Sequence, residues 1–511
     1  MTPKQNIRRR ALLIGIVIFL SYAYFYEGGG WNQNSRFDMV RAILEQKTLS
    51  IDAYHENTQD KALSRGHYYS DKAPGLVMLA LPAAAAARGV LAASGVDPGS
   101  PPGLVATSYA ATVFAVALPT ALSGACLFLI ALQLGSPVNG AAFASLGMGL
   151  ATPVWAYATL FWGHALAGAC LVFAFAAAVG LRESRDGRRD WFWGLVVGLS
   201  AGWATVSEYP AAPASAILAV FAMAQVWAGG RARRWRTALG VCAGALPCLV
   251  VLMFYQHRAF GSAIHPSYSY YQEGAFPWMK HGYMGLTYPR VDVMLKLLFG
   301  CRRGLFFLAP LLVTAPFGLR ILWKNHSTRY AGMAAAAIAF YYFLFNASFW
   351  VWAAGWSYGP RYMAAGVPLL CVGLAPAWSE ASPFWKRTLA AAAICGGGFA
   401  LMAVSTTPQP PDQFHCPLLE VIIPSFWAGK FALTRGSMLT AAEDLPLGTH
   451  GAFNLGQLGG LHGMASLIPL LLVWALGVIA WKRLDSASAQ ARFERAIQKP
   501  DSPPSPGSPI A

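Results

Sequence analysis

Long apolar runs, separated by short turns rich in arginine, set the strongest limit on how this chain can fold. Of its 511 residues, 56% are hydrophobic and only 12% are charged. Many of the runs approach the roughly 20 residues that an α-helix needs to cross a bilayer core. The sequence therefore predicts an all-α membrane protein with about twelve transmembrane helices. The apolar segments fall at about 11–26, 105–133, 139–156, 163–181, 191–207, 210–228, 237–256, 303–323, 329–348, 361–378, 387–405 and 464–481.

The distribution of positive charge indicates how these helices are oriented. The formal net charge is +16, and short cytoplasmic loops of membrane proteins carry an excess of Lys and Arg. The predicted inner side comprises both termini and the basic turns 182–190, 229–236, 323–329 and 385–387. Counted with Arg320 and Glu380, which flank the last two turns, it holds 22 Lys and Arg against 7 Asp and Glu. The other side then holds 16 against 15, so the two sides carry +15 and +1. We expect a multi-pass protein of the cell (inner) membrane with cytoplasmic termini and no nucleic-acid partner.

Residues 74–93 decide this arrangement because they form a thirteenth apolar segment. If they crossed the membrane, the arginine-rich N-terminus and the later basic turns would lie on opposite sides. Pro82 and Arg88 also disfavour a span that is exposed to lipid. We therefore predict that this segment lies along the outer face as a juxtamembrane helix.

The first predicted external loop, residues 27–104, concentrates titratable side chains. A carboxylate can accept the proton of a hydroxyl group, and Lys or Arg can stabilise a departing phosphate. No GxxxxGK[ST] or strand–GxGxxG–helix motif occurs in the chain, so nucleotide binding is not indicated. We expect the chemistry of this protein in this loop, beside the lipid. Its charged residues between Trp31 and Gly75 include Arg36, Asp38, Glu45, Asp52, Glu56, Asp60, Lys61, Asp71 and Lys72.

The cysteines and histidines give no sign of a cross-linked or metal-binding framework. Seven of the eight cysteines lie in or beside apolar segments, and only Cys416 lies in a long polar loop. Because no CxxC spacing occurs, neither a disulfide framework nor a zinc site is indicated. His55 and His67 lack the helical spacing of metal ligands, so we expect no metal.

The first loop resembles that of the GT-C superfamily of polytopic glycosyltransferases, especially the dolichyl-phosphate-mannose mannosyltransferase (family 39) and aminoarabinose transferase type. Arg36-Phe37 matches the R-[YF] that opens an amphipathic helix in that family, and Tyr69 to Pro74 matches its Y-x-[ED]-K-x-P tract. The resemblance covers about residues 1–135. It implies an inverting transfer of a sugar from a polyprenyl-phosphate donor, without a cofactor, to a glycan, lipid or protein acceptor at the outer face.

The resemblance also suggests site residues, with one departure. The family has an acidic pair just before R-[YF], whereas this chain has Gln33-Asn34, and an amide cannot act as a general base. We therefore predict Asp38 or Asp52 as the base. The predicted substrate-binding residues are Arg36, Tyr69, Asp71, Lys72, Glu208 and Arg361, of which Lys72 and Arg361 would hold the donor phosphate.

The implied function divides the chain into three parts. Residues 1–378 would form the catalytic region, 379–483 the C-terminal spans with external loop 406–463, and 484–511 a disordered cytoplasmic tail. A transporter or flippase for a lipid-linked saccharide is the alternative, and an inactive scaffold of the same fold is a third. Transporters place ionisable residues near mid-membrane. Because these spans are almost free of charge, the sequence favours the enzyme.

Overall fold

A computed structural model describes the backbone of residues 2–184, 186–271, 276–434 and 451–497, with side chains up to residue 486. The strands form two short antiparallel pairs: β1 (Phe25–Tyr26) with β4 (Phe453–Asn454), and β2 (Lys61–Ser64) with β3 (His67–Ser70). The α-helices are α1 (Pro3–Ala23), α2 (Trp31–Arg41), α3 (Gly75–Ala93), α4 (Pro101–Thr112), α5 (Leu118–Gln133), α6 (Val138–Leu150), α7 (Val154–Ala158), α8 (Gly163–Glu183), α9 (Gly187–Ser207), α10 (Ala212–Val226), α11 (Gly230–Phe260), α12 (Val291–Phe299), α13 (Leu305–Leu308), α14 (Ala315–Lys324), α15 (Arg329–Ser348), α16 (Val367–Leu370), α17 (Leu374–Glu380), α18 (Pro383–Thr406), α19 (Ile423–Trp427), α20 (Leu455–Leu458) and α21 (Ile468–Ile497).

The predicted all-α membrane fold is confirmed. Within the described ranges, seven helical segments are long and apolar enough to cross a bilayer, and shorter apolar helices accompany them. Some predicted spans are interrupted. The segment 303–323 is divided into α13, a 3₁₀ stretch and α14, with Pro310 and Pro316 at the breaks, because proline cannot donate the hydrogen bond that continues a helix. The total of about twelve spans stays a prediction.

Helix α3 corresponds to the predicted juxtamembrane segment. It is one continuous helix whose length and composition would also allow it to cross a membrane, so its orientation stays a prediction. At its first turn, a Cβ on Gly75 would lie 2.7 Å from Ser207 Oγ, so α3 begins against the end of α9. Near its last turn, Arg88 pairs with Glu45 of the first loop at 2.8 Å. Contact of both ends with predicted outer segments supports a helix that does not cross.

The two ends of the chain lie together. Arg10 of α1 pairs with Asp485 of α21 at 2.7 Å, and the Asn6 side chain donates to the Leu484 carbonyl at 3.0 Å. This contact supports the prediction that both termini lie on one side. Because α21 continues to Ile497, the predicted disordered tail is helical over 484–497, and its remainder, 498–511, lies outside the described residues.

The cysteine prediction was wrong at one pair. Cys301 and Cys416 form a disulfide, with Cα atoms 5.1 Å apart and a sequence separation of 115. A bond between distant segments leaves no local spacing pattern, so the sequence did not reveal it. The disulfide joins the loop after α12 to the loop after α18.

Helices α9 and α11 pack closely through glycines. A Cβ on Gly198 would lie 1.9 Å from the Val241 carbonyl oxygen, and one on Gly244 would lie 2.1 Å from the Leu195 carbonyl oxygen. Small residues at four-residue spacing allow helix backbones to approach in this way within membranes. The α9–α11 pair supports the C-terminal end of α9, where Glu208 follows.

We predict that Gly198→Ala destabilises the protein, because the added methyl group must push α9 and α11 apart. Overpacking of this kind costs typically about 1–3 kcal/mol. Gly398→Ala in α18 is the matched control, since its Cβ would meet no atom within 4 Å. Thermal unfolding in detergent should show a lower Tm for Gly198→Ala and an unchanged or higher Tm for Gly398→Ala. Equal Tm values for the two variants would contradict the packing argument.

Candidate functional site

Helix α2 presents three sets of polar side chains to three different neighbours. Residues four apart lie on the same face of a helix, so Asn32 lies beside Arg36, and Asn34 beside Asp38. The first pair faces the turn between α9 and α10, whereas the second faces the loop at Asn57. Gln33 lies between them and accepts a hydrogen bond from the Trp162 indole at 2.7 Å. The amides at the family's acidic positions therefore serve as buried hydrogen-bonding groups here.

Arg36 and Glu208 form a buried ion pair that joins the first loop to the end of α9. Arg36 Nη2 lies 2.7 Å from Glu208 Oε1, and the two side chains are 1% and 10% exposed. Asn32 accepts a second hydrogen bond from the Arg36 guanidinium. Glu208 also lies against the first residue of α8, where a Cβ on Gly163 would meet Oε1 at 2.4 Å. The positive end of the α8 dipole therefore favours the ionised carboxylate.

His164 connects this pair to Arg361. Its Nδ1 lies 3.4 Å from Glu208 Oε1, and its Nε2 accepts a hydrogen bond from Arg361 Nε at 3.0 Å. The Arg361 guanidinium also donates to the Ala354 carbonyl and stacks 4.2 Å from the centre of the Trp162 ring. Arg361 is half-buried, and no carboxylate of the described residues lies within ion-pair distance of it.

The residues Arg36, Glu208, His164 and Arg361 form the first part of an ion cluster, and Lys72 with its two carboxylate partners forms the second part. Its Nζ lies 2.9 Å from Asp60 and 2.7 Å from Asp71. Asp71 is fully buried and also accepts a hydrogen bond from the Tyr271 hydroxyl. Burial raises the pKa of the Asp71 carboxyl, and Lys72 opposes that shift. Burial alone would lower the pKa of Lys72, but the charges of Asp60 and Asp71 outweigh it and raise the pKa.

Cations from both parts of the ion cluster lower the pKa of the Glu208 carboxyl group. Burial alone would raise the pKa of Glu208. The side chains of His164, Arg36, Arg361 and Lys72 outweigh burial, in that order of strength, and hold the pKa below its usual value. The structure thus brings together five predicted residues from segments far apart in sequence: Arg36, Asp71, Lys72, Glu208 and Arg361.

Asp38, the first predicted base, lies outside this ion cluster. Its carboxyl group is fully buried and accepts a hydrogen bond from Asn57 at 3.0 Å, while Oδ2 has no hydrogen-bond partner among the described residues. Burial raises the pKa of Asp38 well above its usual value, although Asn57 and the charges of Arg41 and Lys61 act against it. The side chain therefore holds a proton more tightly than an ordinary aspartate does.

Tyr69 lies on the hairpin formed by β2 and β3, and Asp52 lies in an earlier turn that packs against this hairpin. Asp52 accepts hydrogen bonds from the Ser50 hydroxyl and the Tyr68 amide, and its carboxylate lies 2.7 Å from His67 Nδ1. Its slight burial acts to raise the pKa, but these contacts outweigh it and lower the pKa of Asp52. Tyr69 packs edge-on against Phe260, with ring centres 5.6 Å apart. Neither side chain contacts the ion cluster.

Sequence reasoning missed three members of the cluster. Asp60 was named among the charges of the first loop but not among the predicted site residues, yet it pairs with Lys72. His164 and Trp162, at the start of α8, gave no motif. The only signal for them was a polar side chain and an aromatic one at the predicted outer end of an apolar run.

Arg303 braces the turn that leads to Arg361. Its guanidinium is buried and donates to the carbonyl groups of Ala353 and Gly355. Ala354 and Gly355 have φ values of 60° and 68°, in the left-handed region that disfavours Ala. The Ala354 carbonyl in turn accepts a hydrogen bond from Arg361. Arg303 therefore holds the backbone on which the Arg361 side chain rests.

Comparisons with known proteins give similar solved structures. No protein-family model and no curated protein matches the chain. ArnT from Cupriavidus metallidurans in the apo state has a TM-score of 0.48 at 17% identity, covering 81% of this chain and 66% of ArnT. ArnT bound to undecaprenyl phosphate gives 0.47 and 16%, covering 84% and 69%. The archaeal oligosaccharyltransferase AglB from Archaeoglobus fulgidus, in complex with an inhibitory peptide and a dolichol-phosphate, gives 0.46 and 13%, covering 79% and 57%.

ArnT, an aminoarabinose transferase, and AglB are both GT-C superfamily members, and the first loop of this chain resembles the same superfamily. The chain spans about two thirds of the length of ArnT. At these identities and TM-scores no residue role transfers from either protein. The role of each side chain is therefore argued from its own contacts.

We predict that Arg303→Met loosens the turn 349–360, because the half-buried carbonyl groups of Ala353 and Gly355 lose their donor. Each such loss costs about 1–3 kcal/mol. Arg302→Met is the matched control, since Arg302 is more exposed and pairs with Asp412 at 2.9 Å. Hydrogen–deuterium exchange should become faster over 349–361 in Arg303→Met only. Equal exchange in both variants would show that the brace does not depend on Arg303.

We predict that Asp38→Asn stabilises the protein at neutral pH. Because the folded pKa is raised, Asp38 stays protonated in the folded state after the unfolded chain has ionised above about pH 3.9. The carboxyl group therefore costs stability as the pH rises towards its folded pKa, whereas an amide stays neutral and still accepts from Asn57. The Tm gain should be present at pH 7 and absent at pH 4.

Asp52→Asn provides the opposite control. The lowered pKa of Asp52 contributes stability above its unfolded pKa, and this contribution is lost as the pH falls through the folded pKa. Asp52→Asn should therefore lower the Tm at pH 7, with the loss shrinking as the medium is acidified. A Tm change for Asp38→Asn that is equal at pH 4 and pH 7 would show that its proton does not matter to folding.

Proposed function

We propose that this protein is a membrane glycosyltransferase that moves a sugar from a polyprenyl-phosphate donor to an acceptor hydroxyl on the outer face of the membrane. The observation that carries the proposal is Arg361. It is a half-buried guanidinium held in place by His164, Trp162 and a backbone carbonyl. Because no carboxylate of the described chain forms a direct ion pair with it, Arg361 can bind the phosphate of a lipid-linked donor.

Lys72 and Arg36 support this anion site in different ways. Lys72 is shared between Asp60 and Asp71 and lies 8% exposed at the edge of the cluster. It can turn from Asp60 towards a phosphate while Asp71 keeps it ionised. Arg36 pairs with Glu208 and therefore does not bind the phosphate itself. It affects Arg361 indirectly, because Glu208 orients His164 and His164 orients Arg361. Tyr69 lies too far out on the hairpin to join them without movement.

Of the two carboxylates proposed as the base, the contacts favour Asp38. An effective general base has a pKa near the working pH, and the pKa of Asp38 is raised whereas that of Asp52 is lowered. Asp38 Oδ2 is also without a partner in the described chain, whereas Asp52 already accepts several hydrogen bonds. A protonated carboxyl cannot act as a base, so the proposal requires the Asn57 loop to open over Asp38. Opening would admit the acceptor hydroxyl and water, and would lower the pKa that burial raises so that Asp38 can ionise.

The proposed reaction is a single displacement. The acceptor oxygen attacks the anomeric carbon and its proton passes to Asp38. The bond from that carbon to the phosphate oxygen breaks, and polyprenyl phosphate leaves with the electron pair, stabilised by Arg361 and Lys72. One displacement inverts the anomeric configuration. No cofactor or metal forms part of the proposal.

The outer face is the proposed location of the site. Disulfides persist in oxidising compartments, so the bond between Cys301 and Cys416 supports an external position for both loops. Arg302 and Arg303 follow Cys301 directly, and Arg303 braces the turn before Arg361. The candidate site therefore lies on the same side as the disulfide, in agreement with the charge distribution along the sequence.

The test is release of polyprenyl phosphate by purified protein from a panel of polyprenyl-phosphate sugars with sugar, lipid and peptide acceptors. Arg361→Gln should lower kcat/KM by about 10²–10³-fold, as the loss of one charge-stabilising group does in other enzymes. Asp38→Asn should lower kcat by about 10²–10⁴-fold. Arg258→Gln, an exposed cation at the end of α11, and Asp52→Asn should retain activity.

A transporter or flippase gives a different result in the same preparation. It would move a lipid-linked saccharide between leaflets of a vesicle without releasing polyprenyl phosphate. Translocation without release would overturn the enzyme proposal. Full activity of Arg361→Gln would show that the proposed phosphate-binding residue is not needed. Activity of Asp38→Asn together with loss of activity in Asp52→Asn would identify Asp52 as the base.

A further inference from the structure

A separate apolar groove lies between α12 and α16, away from the ion cluster. Its volume is about 400 Å³, and it is lined mostly by aliphatic and aromatic side chains that include Leu298, Phe306, Phe340, Phe343 and Leu370. The volume falls in the range of cavities that bind small ligands, about 300–1,000 Å³. A hydrocarbon chain is the occupant that such a lining favours.

One end of the groove is basic. Arg320 and Trp323 line both the groove and an adjoining open crevice, which Lys324, Arg329 and Tyr330 complete. Arg320, Lys324 and Arg329 are exposed, and none has an ion pair within the described part of the chain. Other cations do have such partners: Arg10 pairs with Asp485, and Arg233 with Asp190.

The sequence explains why these cations are unpaired. No Asp or Glu occurs between Asp292 and Glu380, a stretch that includes α13 to α16. The three cations therefore sit at the junction of α14 and α15 with two aromatic rings and no local negative charge. Trp and Tyr are enriched where helices meet the headgroup region of a bilayer.

We propose that this groove and crevice form a binding site for an anionic glycerophospholipid. One acyl chain would lie in the groove, and the phosphate headgroup would bind Arg320, Lys324 and Arg329. Basic pockets between transmembrane helices on the cytoplasmic side bind anionic lipids by this combination, and the predicted topology puts the 323–329 turn on that side. The site is independent of the proposed transferase activity.

The position of the charge distinguishes this lipid from the proposed sugar donor. Met363 lines the far end of the groove, two residues from Arg361, but Arg361 itself does not line it. The only cation that lines the groove is Arg320, at the opposite end. A headgroup bound there lies away from the ion cluster, so the site suits a membrane phospholipid rather than the donor.

The test measures bound lipid on the whole protein purified in mild detergent. Native mass spectrometry after addition of phosphatidylglycerol or phosphatidylcholine would count retained lipids, and thermal shift would report their effect. The wild type should retain one phosphatidylglycerol in preference to phosphatidylcholine. The triple variant Arg320→Gln, Lys324→Gln, Arg329→Gln should lose affinity at least about tenfold, since each cation near the surface contributes about 1 kcal/mol.

Two matched controls separate a site from general surface charge. Lys386→Gln with Arg387→Gln removes cations beside the exposed Trp385 at the start of α18, neither of which lines the groove, and should leave lipid retention unchanged. Ala339→Trp fills the groove and should reduce retention, whereas Ala337→Trp, on the exposed side of the same helix, should not.

Three outcomes would overturn the proposal. The first is equal retention by the wild type and the triple variant. The second is an equal loss in the Lys386, Arg387 control, which would show general charge attraction. The third is displacement of the phospholipid by polyprenyl phosphate with the triple variant unaffected, which would assign the groove to the donor. Unchanged thermal unfolding of each variant without added lipid will confirm that it is folded.

Discussion

The buried pair of Arg36 and Glu208 is the interaction on which the rest of the candidate site depends. It joins α2, which belongs to the polar first loop, to the turn after α9, which belongs to the helical bundle. Removing one partner of a buried ion pair costs about 3–5 kcal/mol because the other charge is left uncompensated. Glu208 also orients His164, and His164 orients Arg361. Loss of the pair would therefore loosen the anion site as well as the fold.

The ion pairs of the cluster leave one cation, Arg361, without a direct ion-pair partner among the described residues. Glu208 is matched by Arg36, and the two carboxylates of Asp60 and Asp71 share Lys72. Arg361 is positioned instead by a neutral imidazole, an aromatic face and a carbonyl group, with Arg303 bracing the turn beneath it. A guanidinium that is already ordered before a ligand binds loses little of its binding energy to being fixed in place.

Part of this site was predictable because local patterns carry information about position. Glu208 and Arg361 each lie at a predicted outer end of an apolar run, where a charge stands out, and Arg36 and Lys72 lie in the two short motifs of the first loop. Asp60 and His164 were missed because their importance comes from partners far away in sequence. Asp38 and Asp52 looked alike as loop carboxylates, and only burial separated them. The pairing of Cys301 with Cys416 was likewise invisible to local spacing.

The sequence by itself determined that the chain forms helices in a membrane and that charged residues concentrate after the first apolar run. It also predicts which side of the membrane is the more basic. Hydrophobic length and charge asymmetry are local properties, so composition suffices to reveal them. Only the tertiary structure decided which charges meet. It shows that Arg36 pairs with Glu208 rather than with an acid of the first loop. It also shows that Arg361 has no direct ion pair with a carboxylate among the described residues. Such contacts depend on how distant helices pack, for which a single sequence holds no local signal.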